Sequence, residues 1–184
     1  MPKVYFVSKN LSKWEIAQWC FDGSPLSLLH INENLTEILE TDLEALVRQK
    51  ALAAFERIRA PLLVEHGSLA LEYLQGLPGP LIEPVWRKLE QRMCALVPAG
   101  ESRSIEIESA VCYCDGRGFK VFRTAMRGSL ALSPAGVGGF HWDPIFIPSG
   151  HTQTFAELSF DEKQALAPNA QSLRKARAFI ESQL

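Results

Sequence analysis

No apolar run in this 184-residue chain approaches the ~20 residues that a membrane-spanning helix requires, so no role inside a bilayer is expected. The amino terminus, MPKVYFVSKN, places only a few apolar residues before polar ones and does not read as a signal peptide. Cysteine is scarce: Cys20, Cys94, Cys112 and Cys114 include no Cys-x-x-Cys pair. Reduced, partly buried thiols in a cytoplasmic protein are expected, rather than a zinc site. Cys112 and Cys114 would share one face of a strand. An excess of one charge is also missing, since the formal net charge is −2. This argues against a broad footprint for a nucleic-acid polymer but leaves room for a small anion held by local lysines. A glycine-rich P-loop is absent, which excludes a Walker-type site. Repeats, linkers and low-complexity stretches are lacking too, so residues 1–184 read as one domain.

What remains is an ordinary globular composition, 47% apolar and 22% charged, on a chain long enough for a full core. Lys3 to Val7 is a β-branched and aromatic run that predicts a first strand. A helix follows from Leu11 to Cys20, capped either by Asn10 or by a Ser12/Glu15 capping box. Pro25 to Ile31 predicts a second strand. Asp42 to Ile58 is the clearest helix, with Leu43, Leu46, Val47, Ala51, Ala54 and Ile58 on one stripe.

Leu62 to Glu65 reads as a brief buried strand ending in the polar Glu65-His66-Gly67-Ser68. The rigid turn GLPGP, from Gly76 to Pro80, precedes an amphipathic segment from about Glu83 to Leu96. Alternation at Ile105, Ile107, Ser109, Val111 and Tyr113 predicts a long strand. Asp115-Gly116-Arg117-Gly118 then closes a hairpin onto Phe119 to Phe122. Gln171 to Gln183 predicts a terminal helix with Leu173, Ala176 and Ile180 inward. The mixture is α/β with an antiparallel portion.

Several groups of residues carry chemistry. The first strand-turn-helix offers backbone N–H groups and a helix dipole that favour an anion, with Ser8 and Asn10 as hydrogen-bonding groups and Lys9 and Lys13 as charges. An ordinary turn with exposed lysines is the plainer alternative. Glu37 precedes the long helix, Glu65 ends a strand, and Asp143 lies in an aromatic loop. Carboxylates from distant segments can hold Mg²⁺, although Glu40, Asp42 and Glu44 beside Glu37 also suit a helix N-terminus. His66 could serve as a base, a metal ligand or a polar residue beside a turn. His30 is expected on a strand surface, and His151 in a loop. In GGFHWDPIFIPSG, Phe140 and Trp142 beside Asp143 form a flat apolar surface next to a carboxylate, suited to a heterocycle with hydrogen-bonding edges. His141, between the two rings, is expected to point away from them.

These residues in this order resemble the inosine triphosphate pyrophosphatase family, nearly end to end. VYFVSKNLSK is similar to the family's strand plus T-G-N-x-x-K, and LTEILETDLEALVRQKALAAF to its L-P-E-x-Q segment and following helix. PLLVEHGSLALEYLQGLPGPLI resembles P-V-L-V-E-D-T-G-L through G-L-P-G-P-Y-I. FHWDPIFIPSGHTQTFAEL and DEK resemble F-G-W-D-P-x-F-x-P-x-G-x-x-x-T-x-A-E-M and E-K-N. The resemblance implies an elongated two-lobed α/β fold with a mixed sheet and a central nucleotide cleft, usually a homodimer. It further implies Mg²⁺-dependent hydrolysis (Mn²⁺ as a substitute) of an aberrant purine nucleoside triphosphate, ITP- or XTP-like, to monophosphate and pyrophosphate.

Carried over by position, Ser8, Lys9, Asn10 and Lys13 would face the triphosphate, and Glu37 and Glu65 the metal. Phe140 would stack on the base, Trp142 and Asp143 would shape its pocket, and Lys163 would contact the nucleotide. Glu65, His66 and Lys13 would form the catalytic group.

Three departures accompany the resemblance. His66 stands where the family has aspartate, a substitution that keeps a proton acceptor but loses a charge for a hard cation. Gly67-Ser68 also inverts the order of glycine and hydroxyl residue. Ala167-Pro168-Asn169 replaces the serine, histidine and arginine that address the purine edge, leaving Asn169 as donor and acceptor. Lys9 replaces the glycine of T-G-N. A nucleotide-binding or sensing protein of the same fold with impaired hydrolysis is the alternative.

Overall fold

Parallel pairing around the first strand organises the amino-terminal half of the chain. The computed structural model describes residues 1–184. In chain order the elements are β1 (Lys3–Val7), α1 (Leu11–Phe21), β2 (Ser27–Ile31), α2 (Leu43–Ile58), β3 (Leu62–Leu71), β4 (Pro78–Gly79), α3 (Ile82–Leu89), β5 (Ser104–Cys114), β6 (Phe119–Leu130), β7 (Phe146–Pro148), α4 (Phe160–Leu166) and α5 (Pro168–Glu181). The seven strands form one sheet in the order β2-β1-β3-β5-β6-β7, with β4 paired to β3. β1 is parallel to both β2 and β3, while β3–β4 and β6–β7 are antiparallel, so the sheet is mixed. No helix is long and apolar enough to cross a membrane.

The chain divides into two compact units, each assembled from separated segments. The first comprises Met1–His66, Ser109–Thr124 and Asn169–Leu184. Parallel strands cannot be joined by a tight turn, so α1 carries the chain from β1 to β2. Val7, Leu62 and Val64 meet Leu43, Val47, Ala51 and Ala54 of the α2 stripe, with Ala110, Cys112 and Cys114 in the same core. Asp42 caps α2 by accepting from the N–H groups of Glu44 and Ala45.

The second unit comprises Gly67–Glu108 and Ala125–Pro168. Its core gathers Leu69, Leu71, Ile82, Met93, Ile105, Ile107, Leu130 and Phe146. Phe146 meets Phe155 edge-on at 4.8 Å. Arg103 donates to the carbonyls of Cys94, Val97, Leu130 and Ala131, tying the Cys94–Val97 stretch to the end of β6. Gly128 is required where β6 meets β7, because a Cβ there would strike the Ile147 carbonyl and the Phe146 ring.

Several local expectations change. β3 does not stop at Glu65 but runs to Leu71, because polar side chains with internal partners, such as Glu65 on Ser109, do not break a strand. β2 begins at Ser27 rather than Pro25, since the Leu26 N–H is taken by Ser24 Oγ. The single amphipathic segment expected to Leu96 is α3 followed by a 3-10 segment, Glu90–Leu96, broken where Glu90 adopts a φ of +48°. Asn10, not Ser12, caps α1. α5 begins at Pro168, a residue suited to a first helical position. The four free thiols are buried outright rather than partly, and burial pushes Cys20 up to about 11 and Cys112 up to about 12.

Candidate functional site

In the first unit the turn between β1 and α1 is tied at three points. Ser8 N–H donates to the Ile31 carbonyl at 3.1 Å, and Ser8 Oγ accepts from Asn10 N–H at 3.1 Å. Asn10 Oδ1 then accepts from Lys13 N–H at 3.1 Å, completing the helix cap. Lys9 is exposed, and its backbone is not in the left-handed region that favours glycine. A lysine at that position therefore costs no backbone strain.

One helical turn later, Lys13 Nζ reaches Glu65 Oε2 at 2.6 Å, and Ser109 Oγ donates to Glu65 Oε1 at 2.9 Å. Lys50 Nζ donates to Glu37 Oε1 at 2.7 Å and to the Glu65 carbonyl at 3.1 Å. His66 Nδ1 lies 3.4 Å from the same Glu37 oxygen. The structure thus brings together Lys13, Glu37, Glu65 and His66, and adds Lys50 and Ser109.

The electrostatics follow from that crowding. Burial opposes ionisation of Glu37, yet the His66 contact and the Lys50 charge outweigh it and hold the carboxyl well below its usual range. Glu65 is likewise lowered against the pull of burial, by Lys13, Ser109 and Lys50. Lys50 moves down from its ordinary value, through burial and the nearby Lys13 charge, with Glu37 partly compensating. Two ionised glutamates face two lysines, so the group stands near electrical balance.

No trio of His, Cys, Asp or Glu side chains is arranged to hold a metal ion. The carboxylates of Glu37 and Glu65 are nonetheless hard oxygen donors kept ionised, the kind of ligand that Mg²⁺ or Mn²⁺ accepts when further oxygens come from elsewhere. The donor chemistry fits such a cation.

In the second unit the aromatic loop is built around Asp143. This buried carboxylate accepts from Phe140 N–H at 2.6 Å and pairs with the equally buried Lys163. Lys163 Nζ also lies 5.0 Å from the centre of the Phe140 ring. Burial pushes the Asp143 carboxyl up, and Lys163 offsets this only in part. Gly139 has a φ of +76°, and a Cβ there would land on the Asp143 carboxylate. Gly67 leaves room for Trp142, whose Cη2 would lie 3.0 Å from a Cβ at that position. The inverted Gly67-Ser68 order thus has a packing reason.

His141 does not point away from its neighbours. Its ring centre lies 5.0 Å from that of Phe140 and 5.6 Å from that of Trp142, because a φ of 52° cancels the alternation of an extended chain. Asn169, near the start of α5 in the first unit, accepts from Ala170 N–H at 2.9 Å through Oδ1.

Lys50 and Ser109 were missed, although both left a mark in the sequence. Lys50 lies four residues from Leu46 and from Ala54, within the buried stripe of α2. Ser109 interrupts the inward series Ile105, Ile107 and Val111. A lone polar residue on an otherwise apolar face is the signal in both cases.

Solved structures share this architecture. A HAM1 protein from Coxiella burnetii superposes with a TM-score of 0.88 at 21% identity, covering 99% of this chain and 100% of that one. The Staphylococcus aureus Ham1 protein matches with a TM-score of 0.76 at 20% identity over 98% and 100%. The Ham1 family model matches residues 4–179, and the chain belongs to that family. Among relatives, the dITP/XTP pyrophosphatase of Saccharolobus solfataricus is 33% identical over 181 residues, 98% of this chain and 94% of that protein. The dITP/XTP pyrophosphatase of Methanopyrus kandleri is 31% identical, covering 94% and 93%.

Proposed function

We propose that this protein hydrolyses a purine nucleoside triphosphate of the dITP or XTP kind to the monophosphate and pyrophosphate. The observation that carries the reading is the cluster of Lys13, Lys50 and Glu37 around the buried Glu65, beside the β1–α1 turn. Its near-neutral balance suits a ligand that arrives as a metal–polyphosphate complex. The phosphates would draw Lys13 and Lys50 from their carboxylates, and Glu37 and Glu65 would turn to the cation. When bound, Mg²⁺ or Mn²⁺ would neutralise the charge that develops on the phosphate oxygens.

The remaining steps belong to this chain's own residues. Ser8, Lys9, Asn10 and Lys13 hold the phosphate tail, with the α1 dipole oriented favourably. His66, whose Nδ1 lies 3.4 Å from Glu37 Oε1, serves as the proton acceptor for the attacking water. Phe140 stacks on the base at about 1–3 kcal/mol with little discrimination. Trp142 and Asp143 shape the pocket, Lys163 neutralises Asp143 at the nucleotide, and Asn169 offers a hydrogen-bonding edge. Discrimination comes from such edges, because an unpaired buried partner is costly. A homodimer in the cytoplasm belongs to the same proposal, and sedimentation velocity tests its assembly.

A nucleotide panel incubated with Mg²⁺ or Mn²⁺ tests the activity. Pyrophosphate released first from dITP or XTP is expected; inorganic phosphate as first product overturns the reading. One observation favours a second reading: His66 stands beside Glu37 where the motif that this chain resembles has aspartate. In that reading the protein binds nucleotide without turnover and shows thermal stabilisation only. His66→Asp separates the two, since a large gain in hydrolysis marks an impaired site and a loss marks a working histidine.

A further inference from the structure

His30 has no part in the proposed chemistry, yet its ring is unusually well fixed. It sits on β2 opposite Phe6 of β1 and lies flat on Trp14 of α1, with ring centres 4.7 Å apart and planes 6° from parallel. Trp14 in turn stacks on Phe6 at 6.3 Å. From this platform His30 Nε2 lies 2.7 Å from the Ser8 carbonyl oxygen. A carbonyl can only accept, so the imidazole donates and carries its proton on Nε2.

The consequence follows from peptide geometry. In a planar trans peptide, C=O and N–H point in opposite directions. Drawing the Ser8 carbonyl toward His30 therefore turns the Lys9 N–H away from His30. Ser8 is also fixed at its own N–H by Ile31 and at Oγ by Asn10, so the peptide has little freedom to rotate. The side chain of another strand thus chooses this plane beforehand.

Resting on the triphosphate reading above, we propose that His30 is a positioning residue for the phosphate-binding turn. Held by Trp14, it presets the Ser8–Lys9 peptide so that the Lys9 N–H meets a phosphate oxygen without rearrangement. Preorganisation of this kind lowers the cost of binding rather than the chemical barrier.

His30→Phe keeps a flat ring on Trp14 and removes the donor. His30→Gln keeps an amide donor without the imidazole. Two readouts suffice: steady-state hydrolysis of dITP, and calorimetric binding of inorganic tripolyphosphate in the presence of Mg²⁺. For His30→Phe we expect KM and the tripolyphosphate Kd to rise roughly three- to tenfold, the size of one lost hydrogen bond, with kcat within about twofold. His30→Gln should recover most of that loss. In the wild type the Lys9 amide resonance should shift on adding tripolyphosphate, and in His30→Phe much less.

Wild-type KM, Kd and Lys9 shift in His30→Phe overturn the proposal. So does a fall in kcat and thermal midpoint with KM unchanged, or a His30→Gln protein no better than His30→Phe. If the wild type neither binds tripolyphosphate nor releases pyrophosphate, the functional reading falls and takes this inference with it. An active wild type with an indifferent His30 removes the inference alone.

Discussion

Both units bury a carboxylate against a lysine, and the two pairs behave oppositely. Glu65 in the first unit is held below its ordinary range, whereas Asp143 in the second is pushed above its own. The difference is the number of partners. Glu65 has Lys13, Ser109 and the nearby Lys50 to set against burial. Asp143 has a single lysine and one backbone N–H. Burial depth is similar, so supporting groups, not exposure, decide which carboxylate is kept charged. The first group is thus suited to electrostatic work on a polyphosphate, the second to holding an aromatic loop in shape.

The largest test of that contrast is Glu65→Gln. It leaves the largely buried Lys13 without its counter-charge and should cost about 3–5 kcal/mol in urea unfolding, with hydrolysis lost. Asp143→Asn also leaves the buried Lys163 without a counter-charge, but it removes a carboxylate that burial disfavours and keeps an oxygen for the Phe140 N–H. The loss should therefore be smaller, about 1–3 kcal/mol. A larger loss for Asp143→Asn would reverse the comparison. Near-ultraviolet circular dichroism of that variant should report loosening around Trp142. Gly139→Ala should match or exceed Asp143→Asn in unfolding assays, at about 2 kcal/mol or more, since it combines a positive φ with a clash on the same carboxylate.

The pH dependence sharpens the contrast further. Glu65 and Glu37 have lowered values, so their contribution is complete above the unfolded carboxyl value of about 4.3 and is lost as pH falls through the folded one. The stability gap between wild type and Glu65→Gln should therefore shrink on acidification. Asp143 carries the opposite sign: its folded carboxyl keeps its proton longer, so stability declines as pH rises from about 3.9 through the folded value. The wild type should gain on Asp143→Asn as pH falls. Urea titrations across the acid range check both slopes. The smallest expected effect is Lys9→Gly, about 0.5 kcal/mol or less in stability, because Lys9 is exposed and unstrained.

Much of this was legible beforehand where period and chemistry agree. The apolar stripe of α2 and the hairpin at Asp115–Gly118 follow from local rules that need no distant partner, whereas the cap of α1 stayed open between Asn10 and Ser12 because both satisfy such a rule. The polar run Glu65-His66-Gly67-Ser68 misled, because polarity alone reads as a turn when the partners that bury it are invisible. His141 misled for a similar reason: one left-handed residue undoes the alternation.

By itself the chain determined which residue types were available and in what order: lysines after a first strand, acids ahead of and beside buried elements, rings around an Asp-Pro step. Tertiary structure alone decided that Lys50 bridges Glu37 and the Glu65 backbone, that Ser109 steadies Glu65, and that His30 grips the Ser8 carbonyl. These are contacts between segments far apart along the backbone. A carboxyl's charge and a peptide's direction depend on what is within a few ångströms in space, and no local pattern records that.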